Sequence, residues 1–198
     1  MARWEPGATE RLQQAAYELF RENGYEQTTV KQIAGRAGVT ARTFFRHFTD
    51  KREVLFAGTE QLVAALRQSI FAAPKGASPF EAVMMALEAI APHLERPRPG
   101  VRERRALIAA HPELRERELN KLTTLCAAAI EALRALGASE PAARLAAEAG
   151  ITIFRVGFDR WLDASSGALA QSIRRTRKEL ATMSATRGRR WRPTTRAR

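Results

Sequence analysis

The chain has 198 residues, 45% of them hydrophobic, and a formal net charge of +12 at pH 7. That length exceeds a minimal nucleic-acid-binding domain and leaves room for a second helical unit with its own core. The lone cysteine, Cys126, excludes an internal disulfide, and no apolar run approaches the roughly 20 residues that a membrane span requires. With nothing that reads as a signal peptide, the expected location is the reducing cytoplasm, away from any membrane. The charge is unevenly placed. Residues 1–52 carry nine Lys/Arg against six Asp/Glu, residues 53–173 carry fourteen of each, and residues 174–198 carry ten against one. Most of the basic excess lies at the C-terminal end, so charge alone says little about the N-terminal region.

Leu12, Ala15, Ala16, Leu19 and Phe20 recur at i, i+3, i+4, i+7 and i+8, predicting a first helix from about Thr9 that ends at Gly24. Residues 29–51, TVKQIAGRAGVTARTFFRHFTDK, predict a helix-turn-helix. Ile33, Ala34 and Ala37 share one face of a helix over 29–37. Gly38 supplies the positive φ of a tight turn, Val39 plugs that turn, and Thr40 caps a third helix ending at His47. Phe44 and Phe48, four apart, form its buried stripe, which leaves Arg42, Thr43, Arg46 and His47 on a polar face suited to a major groove.

Asp50 is the expected N-cap of a fourth helix whose stripe runs through Val54, Leu55, Leu62, Val63, Leu66 and Ile70. With no linker in between, that helix should belong to both halves of the chain. Ser78-Pro79-Phe80-Glu81 is a capping box with Pro at the first helical position, opening a fifth helix over 79–94. A sixth follows over 101–110, after Pro97 and Pro99. A seventh runs from Pro112 to Gly137. Ser139 should cap an eighth that carries Leu145, Ala149, Ile153, Val156 and Trp161 to about Asp163, and a ninth runs from Ala168 towards Met183. The expected fold is all-α with about nine helices. A helix-turn-helix domain at 1–50 is fused through helix four to a second helical domain at 51–184. Residues 185–198, almost without apolar side chains, predict a basic disordered tail.

Gly150 and Gly157, seven apart, admit another helix at close range. With Ile151, and with Leu169 and Ile173 on the ninth helix, they predict a homodimer built from two helices of each protomer. An enzyme is not expected, because His47, His93 and His111 are scattered and no HExxH, Cys/His cluster, nucleophile elbow or phosphate loop occurs. Neither a cofactor nor a metal is expected for the same reason.

Leu19, Phe20, Gly24, Tyr25, Thr28, Thr29, Val30, Ile33, Ala34, Ala37, Gly38, Val39, Thr40, Thr43, Phe44, Phe45, His47, Phe48 and Lys51 fall at the spacing of a known signature. On these residues the first quarter of the chain resembles the tetracycline-repressor (TetR) family of bacterial one-component regulators. The resemblance implies a repressor on double-stranded DNA, released from an inverted-repeat operator by a hydrophobic or acyl-CoA-like small molecule. The alternative is a constitutive DNA-binding regulator whose second domain only dimerises.

By residue type and family position, Lys31, Thr43, His47 and Lys51 are the expected phosphate contacts, and Thr29 serves as both helix cap and contact. Arg42 is the expected base reader, forking onto guanine O6 and N7. Arg46 meets base or backbone, and Thr40, Ala41 and Phe45 complete the set. The family often has Tyr where Phe45 stands, so that contact is expected to be apolar. The resemblance further implies a pocket in the second domain, with Leu62, Leu66, Met84, Leu87, Ile108, Leu122 and Cys126 as candidates and Phe154, Phe158 and Trp161 as candidate walls. Arg104, Arg105 and Arg155 are read as solvated surface by default, with contact to a charged ligand group as the alternative. The segment from Arg102 to Asp163, with HPELRER and FDRWLD, looks like a subgroup associated with acyl-CoA-like ligands.

Overall fold

The computed structural model describes residues 7–95 and 97–185, so the expected tail at 185–198 lies outside the described residues except for Ala185, which is the last residue of a helix. Among these, the fold is all-α. The helices are α1 (Ala8–Asn23), α2 (Val30–Arg36), α3 (Ala41–His47), α4 (Thr59–Phe71), α5 (Pro79–Leu94), α6 (Arg98–Ala110), α7 (Pro112–Ala135), α8 (Glu140–Asp163) and α9 (Leu169–Ala185). A 3-10 turn, Glu53–Phe56, stands between α3 and α4.

Local signals set most boundaries. Gly24, at φ 80°, ends α1. The capping box at Ser78 forms in full: the Glu81 amide donates to Ser78 Oγ at 3.3 Å, and the Ser78 amide donates to Glu81 Oε2 at 2.9 Å. The sixth helix begins at Arg98 and not at Val101, because Pro99 falls in its first turn, where a missing N–H costs nothing. Ser139 holds the N-cap position of α8, but its side chain makes no cap bond.

The fourth helix departs from expectation. Asp50 does cap, its Oδ1 accepting from the Arg52 and Glu53 amides at 2.8 and 3.2 Å. What it caps is the short 3-10 turn, and Gly58, at φ 88°, breaks the chain before α4 starts at Thr59. The apolar stripe divides at that break. Val54 and Leu55 are buried with α1–α3, whereas Leu62, Leu66 and Ile70 are buried with α5, α7 and α8. The fourth helix is therefore not shared between the two cores; α7 is, with Leu114 in the first and Leu125, Ala129 and Leu133 in the second.

The N-terminal core gathers Leu12, Leu19, Phe20, Ile33, Phe44, Phe48, Val54 and Leu55, and is completed by Ile108 from α6 and Leu114 from α7. The larger core is a bundle of α4, α5, α7, α8 and α9. The residues expected between two copies of the chain are consumed inside one. A Cβ on Gly150 would lie 2.4 Å from Val83 Cγ1 of α5, and one on Gly157 would lie 3.0 Å from Ile173 Cα of α9. Ile151, Leu169 and Ile173 are buried in the same bundle. Leu145 and Val156, expected on the inner stripe of α8, are instead exposed. The small residues do mark close helix packing, but the neighbour is the chain's own α5 and α9.

Candidate nucleic-acid interface and internal cavity

The helix-turn-helix is held by short-range chemistry. Thr29 Oγ1 accepts from the Gln32 amide at 3.3 Å, while Gln32 Oε1 accepts from the Thr29 amide at 2.8 Å, closing a capping box on α2. Gly38, at φ 70°, turns the chain, and the Val39 amide donates to Ala34 O at 2.9 Å. Ala34 is 2% exposed, so a larger side chain there would push α2 and α3 apart. Thr40 Oγ1 then accepts from the Thr43 amide at 3.1 Å and starts α3.

Phe44 and Phe48 turn inward with ring centroids 5.5 Å apart. Ala41, Arg42, Phe45 and Arg46 are exposed on the opposite side, and Phe45, a large apolar ring, is 58% exposed. Lys31 and Thr29, at the start of α2, are exposed as well. Thr43 and His47 are half-buried, with His47 Nδ1 3.2 Å from Thr9 Oγ1 of α1. Of the expected contact set, seven residues are exposed and Thr43 and His47 are half-buried, while Lys51 is engaged elsewhere. The Lys51 ammonium donates to the carbonyls of Tyr25, Glu26 and Thr28 at 2.7, 3.2 and 3.2 Å and lies 4.3 Å from the Tyr25 ring centroid.

An ammonium has three protons, so Lys51 is placed as a clamp on the turn after α1. Replacing Lys51 with Met, which keeps the stem and removes the donors, should lower the melting temperature and leave the salt dependence of DNA binding unchanged. A salt slope flatter by about one unit at an unchanged melting temperature would return Lys51 to the phosphates. The other face of this turn meets the α6–α7 corner. The His111 ring packs against Tyr25, tilted by 50° with centroids 4.6 Å apart, and its Nδ1 lies 3.3 Å from Glu26 Oε1. Burial, assisted by the Glu113 charge, pushes the Tyr25 phenol up to about 12, so it stays neutral at physiological pH. Arg117 of α7 pairs with Asp50 at 3.2 Å and also with Glu53.

A cavity of about 650 Å³ opens where α1, the 3-10 turn and α4 meet α6, α7 and α8. That volume suits a small organic ligand. Of the expected lining, Leu62, Ile108, Leu122, Phe154 and Phe158 face it, as do Arg104, Arg105 and Arg155. Leu66, Met84 and Leu87 do not, because they are fully buried in the bundle core. Neither does Cys126, a buried thiol pushed up to about 11 by burial and by Glu148. Trp161 is also elsewhere, donating its indole N–H to Gly167 O at 3.1 Å.

The sequence reading missed Leu55, Phe56, Gly58 and Thr59, which approach from the 3-10 turn and its break, and the charged residues Glu118 and Lys121. Arg104 donates through Nε to Leu55 O at 3.0 Å, pairs with Glu118 at 3.2 Å and sits 5.2 Å from the Phe56 ring centroid. Burial opposes the Glu118 charge, yet Arg104 and Lys121 outweigh it and hold the carboxyl below its usual value. Burial pushes the Lys121 ammonium below its own. Arg105 is paired with Asp159.

An outward recognition helix, with a cavity between its domain and a helical bundle, defines a helix-turn-helix regulator. Residues 12–57 match the model described as bacterial regulatory proteins, tetR family, and residues 77–185, more than half of the chain, match the MftR C-terminal domain of such proteins. The chain belongs to the tetR family of transcriptional regulators. Over 81 residues it is 40% identical to the HTH-type transcriptional regulator TcmR of Streptomyces glaucescens, a match covering 41% of this chain and 36% of that protein. The chain thus spans about a third of that relative.

Solved structures share the fold at lower identity. Thermus thermophilus FadR, a transcriptional repressor of the same family solved with lauroyl-CoA, is 22% identical with a TM-score of 0.52, covering 93% of this chain and 99% of its own. SmeT, repressor of the Stenotrophomonas maltophilia multidrug efflux pump SmeDEF, is 18% identical with a TM-score of 0.56, covering 88% and 89%, and a complex of SmeT with triclosan also matches. None of the nine helices is long and apolar enough to cross a membrane, among the described residues.

Proposed function

We propose that the protein is a dimeric repressor that reads an inverted-repeat operator through α3 and releases it when a hydrophobic or acyl-bearing molecule fills the cavity. The observation that carries this reading is the position of the cavity. It lies against residues 55–59, the only covalent passage from the helix-turn-helix to the bundle. A ligand there touches the element that fixes where α3 sits. It shifts the operator equilibrium only as far as its affinity differs between the two arrangements, typically by about 1–3 kcal/mol. Operator titration with and without lauroyl-CoA and triclosan tests this. Compounds that bind by calorimetry yet leave operator affinity unchanged would leave a constitutive DNA-binding regulator as the reading.

The dimer surface follows from what the single chain leaves open. On α9, Leu169, Ile173 and Thr176 are buried, and the same stripe continues at seven-residue repeats to Leu180 and Met183, which are 42% and 74% exposed. Leu145, Thr152 and Val156 form an exposed stripe along α8. An apolar stripe that outruns its own core is suited to a second copy of the chain. Val156→Asp combined with Leu180→Asp should convert a dimer to a monomer in light scattering after size exclusion. A wild-type monomer at the same concentration would remove the proposal.

A further inference from the structure

Gly58 stops the 3-10 turn, leaving the carbonyls of Val54, Leu55 and Phe56 without the amides that a continuing helix would supply. Each is met by a side chain from a different element. Gln13 of α1 donates to Val54 O at 3.2 Å, Arg104 of α6 to Leu55 O at 3.0 Å, and Thr59 of α4 to Phe56 O at 2.6 Å. All three donors also line the cavity. The same side chains thus face the segment that carries the helix-turn-helix and whatever occupies the cavity.

We propose that Gln13, Arg104 and Thr59 form a latch on residues 54–56, and that a ligand bearing an anionic group opens it by capturing Arg104. This rests on the effector reading above and adds to it the trigger and the route. Arg104 is the member an anion takes, because a charge-assisted bond from guanidinium to an anionic oxygen is roughly twice as strong as one to a neutral carbonyl. The surroundings favour the exchange. Arg104 already shares its charge with Glu118 at 3.2 Å and Asp159 is paired with Arg105, while Arg115, Lys121 and Arg155 make no ion pair among the described residues. The wall therefore carries unpaired positive charge. Once Arg104 turns away, the Leu55 carbonyl is left buried without a donor, a state the segment relieves only by moving.

The test uses the full chain without ligand. Arg104→Met keeps the apolar stem and loses the donors; Thr59→Val is nearly isosteric, removes a different arm, and decides the matter alone if the Met variant fails to fold. Each should weaken operator binding by about fivefold or more, the low end of ordinary coupling between sites, with faster amide exchange confined to residues 55–59. Wild-type affinity and wild-type exchange in the folded variants would overturn the latch. The trigger is tested on wild type with laurate, lauroyl-CoA and dodecanol, scoring binding by calorimetry separately from operator release. Release by laurate assigns a carboxylate head, and release by lauroyl-CoA alone assigns its phosphates. Equal release by dodecanol overturns the anionic trigger. If none of the three binds, the effector reading and its trigger fall together, and the ligand-free variants still decide the latch.

Discussion

Replacing Arg42 with alanine is expected to weaken binding to the preferred operator by about 1–3 kcal/mol while non-specific binding stays nearly intact. Arg42 is exposed in the first turn of α3, a helix fixed by the Thr40 cap and by the buried Phe44. Its guanidinium has the planar fork that pairs with guanine O6 and N7. Alanine removes that reading and one positive charge, without touching the packing that holds the helix. Lys31→Ala is the contrasting case. It should weaken every sequence alike and flatten the salt slope by about one unit, as loss of one phosphate contact does. Titration against operator and scrambled DNA at several salt concentrations separates the two. An Arg42 variant that discriminates operator from scrambled DNA as well as wild type would show that another residue reads the bases.

Enlarging Gly150 should destabilise the bundle. The first added carbon lands 2.4 Å from Val83 Cγ1 and 3.3 Å from Leu87 Cδ1. Both neighbours are 1% exposed, and Val83 is branched at Cβ, so neither has a free direction in which to retreat. Overpacking of this kind costs about 1–3 kcal/mol. For Gly150→Ala a better helix propensity offsets about 1 kcal/mol of that; Gly150→Leu gains nearly as much from propensity but adds three further carbons, so its overpacking dominates. Thermal denaturation should show a lowered midpoint for the Leu variant, falling by about 2–4 °C for each kcal/mol in a chain of this size. A Leu variant as stable as wild type would contradict the close crossing of α5 and α8.

The contrast between the two halves of the chain shows which physical signals are visible in sequence. The helix-turn-helix was legible because everything that builds it is local. Gly38 is needed where φ is positive, Thr29 and Thr40 cap within three residues, and Phe44 and Phe48 repeat on one face. The capping box at Ser78 was legible for the same reason. The interruption at Gly58 was not, because Val54, Leu55, Leu62 and Leu66 stay in phase across it, and periodicity cannot tell one helix from two collinear pieces. The glycine was the available signal. Gly150 and Gly157 announced that another helix comes close, but a small residue does not say whose helix it is. The cavity was half legible. Apolar residues that line it and those that fill the core, such as Leu62 and Leu66, share one helical face, and only the tertiary fold separates them.

The placement of Ile108 and Leu114 has a consequence for how the protein comes into being. These side chains finish the core of the recognition unit, yet they follow its last residues by more than fifty positions. A nascent chain that has emerged only as far as α4 holds a helix-turn-helix with an open apolar floor, and it stays so until α6 and α7 have been synthesised. Contacts between such distant residues close late, because the intervening loop must first lose its freedom. The reading head is therefore made before the residues that complete its core, and its packing closes only once α6 and α7 follow.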